Sequence, residues 1–522
     1  MKGCRMNRFG IPYFTLQDCF NHHGLHYADR VALICGEDSI TWGELNRRMN
    51  RVGNSLIQRG IGKGDKVCTL LPSAISTVEI MYGITKSGAA MVPLSALSQP
   101  ETLRLLINDS DASAIFVGPE MEALIDPIRK KLINIKPGYF ISVGFEKEGW
   151  VSYEDFTWEV SDKDPVVKYD NEDHGLILYT SGTTGTPKGA LFTHCGRYIW
   201  TLELTAFFGI TDTSKTLVST PLYHSASMSI MQPTLLKGGT IIIIPQFDPE
   251  GWMKVAEKER PTHSFLVPTQ FGVIMNHPKI RDYDIANFKC IFSTGSTLMP
   301  EMKKAIIKRF GNVLFEIYGN TEGISTCLDP ANMLRKVASV GKPMHCMDFR
   351  IIDDSGQELP WGEYGEIIGF GTTMFRGYYK RRDLDEESMW MDKRGYTFIK
   401  TGDMGKYDEE GFLYIVDRKK DMIISGGVNI YASDIESVLK MHPDVVDAAV
   451  IAIPHQKWGE TPLSLVIRRE GSHVSEEDLK EWLNSRLAKY QQVSAIEFRK
   501  EFPRNALLKV IKKQLRDPYW NK

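Results

Sequence analysis

Thr180-Ser181-Gly182-Thr183-Thr184-Gly185-Thr186-Pro187-Lys188-Gly189, directly after the apolar run Gly175-Leu-Ile-Leu-Tyr179, is the stretch that decides the fold class. The apolar run predicts a strand, and the ten residues after it predict a loop of glycines and hydroxyls with one lysine. Such a loop suits phosphate, because glycine backbone approaches an anion closely and N–H groups, hydroxyls and an ammonium donate to it. The spacing differs from the GxxxxGK[ST] of P-loop NTPases. We expect a different nucleotide-polyphosphate loop; the alternative is a flexible surface loop.

Composition limits the class of protein. A chain of 522 residues is long enough for two or three structural units. The 63 basic and 65 acidic side chains nearly cancel, so no nucleic-acid partner is expected. The eight cysteines lack metal-ligand spacing and predict reduced thiols of a cytoplasmic protein. No apolar run approaches the roughly 18 residues of a membrane span, so none is expected.

Short apolar runs alternate with segments of helical spacing, which predicts an α/β fold. Runs near residues 65–71 and 112–117 predict one sheet, and runs near 240–245, 263–267, 289–293 and 313–318 predict a second. We therefore expect a large N-terminal domain of two αβ-layered sheets over residues 1–417. Short strands separated by turn residues predict a small β-rich subdomain within it, from about 345 to 417.

The C-terminal region is a separate predicted unit. Residues 418–420 predict a hinge, and residues 421–522 predict a small α+β domain. Its helix after Ser475 has a capping-box pattern and carries Leu479, Trp482, Leu483 and Leu487 on one face.

Five further motifs follow in a fixed order. They are Tyr318-Gly319-Asn320-Thr321-Glu322, Thr401-Gly402-Asp403, Asp417-Arg418, Ser425-Gly426-Gly427 and Pro503-Arg504-Asn505-Ala506-Leu507-Leu508-Lys509. Together with the glycine loop they resemble the adenylate-forming superfamily: AMP-forming acyl- and aryl-CoA synthetases, adenylation domains of peptide synthetases and beetle luciferases. The resemblance covers nearly the whole chain. It implies that the C-terminal domain is mobile.

The resemblance implies a role for each motif. A carboxylate must attack the α-phosphate of ATP to become a mixed anhydride, and this step needs charge neutralisation above all. Residues implied to bind nucleotide or phosphate are Thr180, Ser181, Gly182, Thr183, Thr184, Gly185, Lys188, Gly295, Ser296, Tyr318, Gly319, Asn320, Asp403 and Arg418. Thr321 is implied to contact phosphate and Glu322 to hold Mg²⁺.

Lys509 is the expected catalytic lysine, bridging the substrate carboxylate and the α-phosphate. The alternative is a surface lysine, since Lys512 and Lys513 follow closely. The family usually has glycine immediately before this lysine, where this chain has Leu508. Some aryl-CoA ligases of the halobenzoate type also lack that glycine.

The second half-reaction would use coenzyme A. By resemblance, the C-terminal domain rotates about Lys420 and presents Ser425, Gly426 and Gly427 to the pantetheine arm. His224, in Pro221-Leu222-Tyr223-His224-Ser225, is expected to line the acyl site. We find no cation or carboxylate placed in the sequence to select a charged substrate tail.

The expected function is an AMP-forming ligase of a small carboxylic acid, with ATP, Mg²⁺ and coenzyme A. Alternatives are a stand-alone adenylation enzyme that loads a separate carrier protein, a luciferase-like oxygenase and a non-catalytic nucleotide sensor. The sequence leaves open which acid is used and the oligomeric state, a homodimer included.

Overall fold

The computed structural model describes residues 14–180, 188–426, 428–504 and 510–520. Strands of these residues form four sheets, which we name the nine-stranded, seven-stranded, central and C-terminal sheets. Helices occupy Leu16–His26, Trp42–Gln58, Ile75–Lys86, Pro100–Asp109, Glu122–Ile125, Tyr153–Thr157, His194–Phe208, Ser225–Lys237, Pro249–Glu259, Pro268–Met275, Pro300–Phe310, Arg382–Ser388, Ala432–Leu439, Glu476–Asn484 and Lys512–Trp520. The expected α/β class is confirmed.

The nine-stranded sheet positions most of the candidate site. Its strands, in spatial order, are Lys342–Pro343, Ser325–Leu328, Leu314–Gly319, Cys290–Ser293, His263–Phe265, Lys215–Val218, Thr240–Ile243, Val31–Cys35 and Asp38–Thr41. The strands from Leu314–Gly319 to Val31–Cys35 pair in parallel. Their carboxyl ends therefore share one edge, where ligands bind in open parallel sheets.

The seven-stranded sheet carries the strand before the glycine loop. Its order is Val151–Ser152, Phe140–Ser142, Ala114–Val117, Lys66–Leu70, Ala90–Pro93, His174–Thr180 and Lys188–Thr193. Helices lie between it and the nine-stranded sheet, and one apolar cluster joins side chains of both sheets, such as Val67 and Phe292. The two sheets therefore share a core.

Helix Trp42–Gln58 shows how the sequence builds this layer. The Thr41 side chain accepts a 3.3 Å hydrogen bond from the Glu44 backbone N–H, which caps the helix start. Leu45, Met49 and Leu56 recur at helical spacing and are fully buried. The helix therefore begins at its cap and buries one apolar stripe.

The central sheet follows and leads to the C-terminal sheet. The central sheet contains Met347–Ile352, Gly365–Gly371, Met389–Met391, Thr397–Tyr407 and Leu413–Arg418. A turn of 3₁₀ helix, Lys419–Asp421, joins it to the C-terminal sheet of Ile423–Ser425, Val428–Ile430, Val445–His455, Gly459–Arg468 and Ala495–Arg499.

The predicted C-terminal helix is confirmed as Glu476–Asn484, but it ends before Leu487, which was wrongly expected on it. The Ser475 hydroxyl accepts a 3.1 Å hydrogen bond from the Asp478 N–H, and Leu479 and Leu483 are buried. Trp482 and Leu487 pack partly buried against the same cluster. Across the described ranges, no helix combines the length and apolar character needed to cross a membrane.

Candidate active site

The ends of the glycine loop are held together by a β-hairpin. Strands His174–Thr180 and Lys188–Thr193 pair antiparallel, with Thr180 opposite Lys188. Ser181, Gly182, Thr183, Thr184 and Gly185 lie outside the described residues, so their phosphate roles stay predictions. Thr180 and Lys188, which flank this segment, are therefore paired neighbours in the seven-stranded sheet.

Segment 373–379 joins this hairpin to the turn that contains Glu322. The N–H of Arg376 donates to the Leu191 carbonyl at 2.7 Å, and the N–H of Tyr379 donates to that of Gly189 at 2.8 Å. At its other end, the N–H of Phe375 donates to the Glu322 carbonyl at 2.9 Å. Motifs more than a hundred residues apart in sequence are therefore fixed relative to one another by backbone hydrogen bonds.

Tyr378 in that segment brings Lys188 and Glu322 together. Its hydroxyl donates a 2.6 Å hydrogen bond to Glu322 Oε1. Lys188 Nζ lies 5.6 Å from the centre of its ring, within range of a cation–π contact. Burial, and next the Glu322 carboxylate, raise the pKa of Tyr378, so its hydroxyl keeps its proton. An ammonium and an oriented carboxylate thus flank one aromatic ring.

The Glu322 side chain sits on a tight turn between strands Leu314–Gly319 and Ser325–Leu328. The N–H of Asn320 donates to the Ile324 carbonyl at 3.2 Å, and that of Gly323 to the Asn320 carbonyl at 3.3 Å. Gly323 has φ +95°, and a Cβ there would lie 2.5 Å from the Thr373 carbonyl oxygen. Only glycine fits this position, so the turn is fixed against segment 373–379. Thr321 and Glu322 are half-buried.

Tyr318, Asp403 and Arg418 form a second group at the end of strand Leu314–Gly319. The Tyr318 hydroxyl donates to Asp403 Oδ2 at 2.8 Å, and Arg418 Nε lies 3.0 Å from Asp403 Oδ1. Asp403 and Arg418 are opposite each other in the central sheet. Burial and the Asp403 carboxylate raise the pKa of Tyr318. The structure therefore brings together three residues that the sequence placed in one nucleotide site.

Gly295 and Ser296 follow the neighbouring strand Cys290–Ser293. Gly295 has φ +95°, and Ser296 is exposed. The loop is anchored where the Leu298 N–H donates to Glu316 Oε1 at 3.2 Å. Because strands Cys290–Ser293 and Leu314–Gly319 are parallel neighbours, this loop and Tyr318 lie at the same sheet edge.

His224 lies at that edge as the residue before helix Ser225–Lys237. Its Nδ1 accepts a 3.2 Å hydrogen bond from the Ala226 N–H, so a neutral ring carries its proton on Nε2. Burial lowers the pKa of His224 to about 4, so the ring is neutral near pH 7. This environment suits a lining residue and disfavours a general base, whose pKa should lie near the working pH.

The C-terminal candidates are described only in part. Ser425 is half-buried at the end of its strand, and the Gly426 N–H donates to the Trp458 carbonyl at 2.8 Å. Gly427 and Lys509 lie outside the described residues. Lys512 is a structural residue, because its Nζ is 2.7 Å from Glu436 Oε1. The role of Lys509, and the alternative that it is a surface lysine, therefore stay predictions.

The predicted hinge is bonded to the elements on both of its sides in this structure. Lys419 Nζ lies 3.0 Å from Glu366 Oε2 in the central sheet, and Arg516 Nη1 donates to the Lys420 carbonyl at 3.1 Å. The turn is thus bonded on one side to the central sheet and on the other to the last helix.

Tyr378 and its segment were missed by sequence reasoning. The segment Arg376-Gly377-Tyr378-Tyr379 carries no charge pattern or glycine spacing that identifies a site by itself. Its importance comes from contacts with two distant motifs. Within the ranges that the structure describes, no three His, Cys, Asp or Glu side chains are grouped as a metal site.

Comparison with known proteins identifies the family of this chain. The family model of the AMP-binding enzyme matches residues 20–379, and that of the AMP-binding enzyme C-terminal domain matches residues 434–509. A feruloyl-CoA synthase of Amycolatopsis sp is 32% identical over 487 residues, which are 92% of this chain and 94% of the relative. An indoleacetate–CoA ligase of Aromatoleum aromaticum is 32% identical over 503 residues, 95% of this chain and 96% of the relative.

A solved structure supports the fold assignment. The crystal structure of ATP-bound MatB from Rhodopseudomonas palustris superposes with a TM-score of 0.87 at 27% identity, over 97% of this chain and 99% of that one. The family models alone span well over half of the sequence. This chain belongs to the AMP-binding enzyme family, the adenylate-forming superfamily that its motifs resemble.

Proposed function

We propose that this protein is an AMP-forming carboxylate–CoA ligase. The observation that carries the proposal is the pair of groups on one strand end: Tyr318 with Asp403 and Arg418, and four residues later Glu322 with Tyr378 and Lys188. The first group suits a nucleoside and the second a polyphosphate. Family membership and relatives named as CoA ligases support the same ligase class, with ATP and coenzyme A as co-substrates.

The first half-reaction makes an acyl-adenylate. An oxygen of the substrate carboxylate attacks the α-phosphorus of ATP, a P–O bond forms, and the bond to the β-phosphate oxygen breaks. Pyrophosphate leaves, and its charge must be neutralised as it develops. Lys188 is placed to supply a positive charge, because its ammonium lies beside the Tyr378 ring at the base of the glycine loop.

Glu322 would hold a magnesium ion, and Thr321 would contact phosphate. Mg²⁺ prefers oxygen ligands and binds through one or two carboxylates plus substrate phosphates, so a single oriented carboxylate is a suitable donor. The Tyr378 hydroxyl donates to Glu322 Oε1 and so orients the carboxylate that would hold the ion. When bound, the ion supplies charge neutralisation of the phosphates.

Asp403 is assigned to the ribose hydroxyls and Tyr318 to the adenine. A carboxylate accepts two hydrogen bonds from a diol, and Asp403 is oriented for this by its bonds to Tyr318 and Arg418. The loop containing Gly295 and Ser296 lies at the same edge and is assigned to the wall around the base. These assignments predict that a change at Asp403 weakens the binding of ATP more than it weakens the binding of the carboxylic acid.

Lys509 is assigned to adenylation, and the region after the hinge to thioester formation. We place the N-terminal domain at 1–417, the hinge at 418–420 and the C-terminal domain at 421–522. Rotation about the hinge would withdraw Lys509 and bring Ser425, Gly426 and Gly427 to the acyl-adenylate. The thiol then attacks the acyl carbon, the C–S bond forms, and AMP leaves with the bridging oxygen.

The test is release of AMP and pyrophosphate over a panel of benzoates, cinnamates and fatty acids, each with and without coenzyme A. We expect an acyl-CoA thioester in amounts equal to AMP. Pyrophosphate release without any thioester would instead support an adenylation enzyme that loads a carrier protein. No acid-dependent AMP from any acid would contradict both.

A further inference from the structure

Glu203 is a half-buried ionisable group that the proposed mechanism does not use. It lies in helix His194–Phe208, and its Oε1 atom is enclosed without a hydrogen-bond partner among the described residues. Burial alone raises the pKa of Glu203 to about 7. An enclosed carboxylate oxygen normally has a donor, because leaving it without one costs free energy. Glu203 Oε1 is therefore a carboxylate oxygen that no donor of the described chain satisfies.

The side of the helix that carries Glu203 faces the strand of the nucleotide site. Residues four apart lie on the same side of a helix, so Glu203 and Phe207 are neighbours one turn apart. The Phe207 ring is 5.9 Å from that of Phe315 and 6.1 Å from that of His345. Phe315 belongs to strand Leu314–Gly319, which ends with Tyr318.

The direction of the helix places Glu203 nearer the reactive edge than Phe207. The helix ends beside the beginnings of the parallel strands, since the Phe208 carbonyl lies 3.1 Å from Nε2 of His263, the first residue of strand His263–Phe265. Earlier turns of the helix therefore lie farther along these strands, toward the edge with Gly295 and Tyr318. The rings of Phe207 and Phe315 pack together, and Glu203 lies four residues, a rise of about 6 Å along the helix, nearer that edge than Phe207.

The second element beside this region is helix Ser225–Lys237, which follows His224. Helices His194–Phe208 and Ser225–Lys237 pack against each other, and both face the nine-stranded sheet. An acid whose carboxyl group lies at the reactive edge near His224 would extend its far end between these helices and strand Leu314–Gly319. Its far end would meet the carboxylate of Glu203.

We propose that Glu203 is a specificity-determining residue of the acid site, selecting carboxylic acids that carry an N–H or O–H donor at the end remote from their carboxyl group. The proposal rests on the proposed ligase function. A donor there completes the hydrogen bonding of the enclosed oxygen, whereas a plain hydrocarbon end leaves it unpaired. The donor is a cationic ammonium or a neutral hydroxyl or amine.

The test compares matched acids on the full-length protein. One pair is 4-methoxycinnamate and 4-hydroxycinnamate, which differ in a neutral donor; the other is hexanoate and 6-aminohexanoate, which differ in a cationic one. Each is measured as kcat/KM for thioester formation with the wild type, Glu203→Leu and Glu203→Gln. Leu202→Ala is the control, because Leu202 is an exposed neighbour on the same helix.

We expect the wild type and Leu202→Ala to prefer the donor-bearing acid of at least one pair by about tenfold or more, the effect of a hydrogen bond to a charged group. Which pair responds identifies a neutral or a cationic donor. Glu203→Leu should lose the preference and gain activity with the other acid of that pair, and Glu203→Gln should fall between. Equal kcat/KM within both pairs in the wild type, or a preference that survives in Glu203→Leu, would overturn the proposal.

Failure of the ligase proposal would look different. No AMP would form from any acid with the wild type or with Leu202→Ala, whatever residue stands at 203. If the wild type makes thioesters without preferring donors, only the role of Glu203 is wrong. Thermal unfolding of each variant separates loss of the preference from loss of the fold.

Discussion

The Tyr378 hydroxyl donates a 2.6 Å hydrogen bond to Glu322 Oε1, and this bond joins segment 373–379 to the turn after strand Leu314–Gly319. Tyr378 touches both the expected metal-binding carboxylate and, through its ring, the loop lysine Lys188. It is therefore a positioning residue whose effect on catalysis passes through Glu322.

Tyr378→Phe should weaken the response to magnesium. Removing a hydrogen bond to a carboxylate costs about 1.5–3 kcal/mol, so the Mg²⁺ concentration for half-maximal activity should rise about tenfold or more. The measurement is AMP formation as a function of Mg²⁺ at saturating ATP and acid. Tyr379→Phe is the matched control, because its hydroxyl bonds Asp111 instead, at 2.9 Å. An equal shift in both variants would contradict the role of Tyr378.

Asp403→Asn should raise the KM for ATP about tenfold or more and change the KM for the acid little. The amide keeps the shape of the side chain, but it has only one acceptor oxygen for a diol and no charge opposite Arg418. Tyr318→Phe, which removes the hydroxyl bonded to Asp403, should shift the same constant in the same direction by less. Initial rates over a grid of ATP and acid concentrations measure both constants. A larger effect on the acid would place Asp403 outside the nucleotide site.

Lys509→Ala should separate the two half-reactions. Loss of a positively charged group at the reacting phosphate should lower the rate of adenylation by roughly two orders of magnitude or more. Thioester formation from supplied acyl-adenylate should be largely spared. The measurements are acid-dependent pyrophosphate exchange into ATP and single-turnover thioester formation.

Lys513→Ala is the control for that lysine, because Lys513 is exposed and lies four residues later. It should leave both half-reactions unchanged. Equal loss of both half-reactions in Lys509→Ala would show that the lysine has no separate role in adenylation.

Glu203→Gln should stabilise the protein more at high pH than at low pH. Burial raises the pKa of Glu203 from 4.5 to about 7, so between these values the folded chain binds more protons than the unfolded chain. Stability from this group is therefore lost as the pH rises through that window, and an uncharged glutamine avoids the loss. The difference in thermal midpoint between variant and wild type should be larger at pH 8 than at pH 5. A difference that is independent of pH would show that Glu203 ionises normally.

Most individual strands and helices could be predicted from local sequence patterns. The β-branched run Thr240–Ile243 and the capped stripe of Trp42–Gln58 form the strand and helix that their sequences indicate. These elements follow from side-chain periodicity and capping, which are properties of neighbouring residues. Sheet membership is different: Val31–Cys35 pairs with Thr240–Ile243, about two hundred residues away, and no local pattern encodes that partner.

The candidate site also contains residues that local motifs predict and residues that only the three-dimensional contacts reveal. Tyr318, Asp403 and Arg418 were predicted from motifs, and the structure brings them into hydrogen-bonding contact. Tyr378 and Glu203 were missed. One acts through contacts with two remote motifs, and the other resembles a solvated residue of an amphipathic helix until its surroundings are known.

The most direct test of the ligase assignment follows the oxygen atoms of the acid. An accepted acid labelled with oxygen-18 in its carboxyl group is incubated with ATP, Mg²⁺ and coenzyme A, and the products are analysed by mass spectrometry. Attack on the α-phosphorus followed by thiol attack on the acyl carbon predicts an acyl-CoA thioester and AMP that carries one labelled oxygen. A thioester formed with unlabelled AMP, or with the label in inorganic phosphate, would contradict the account.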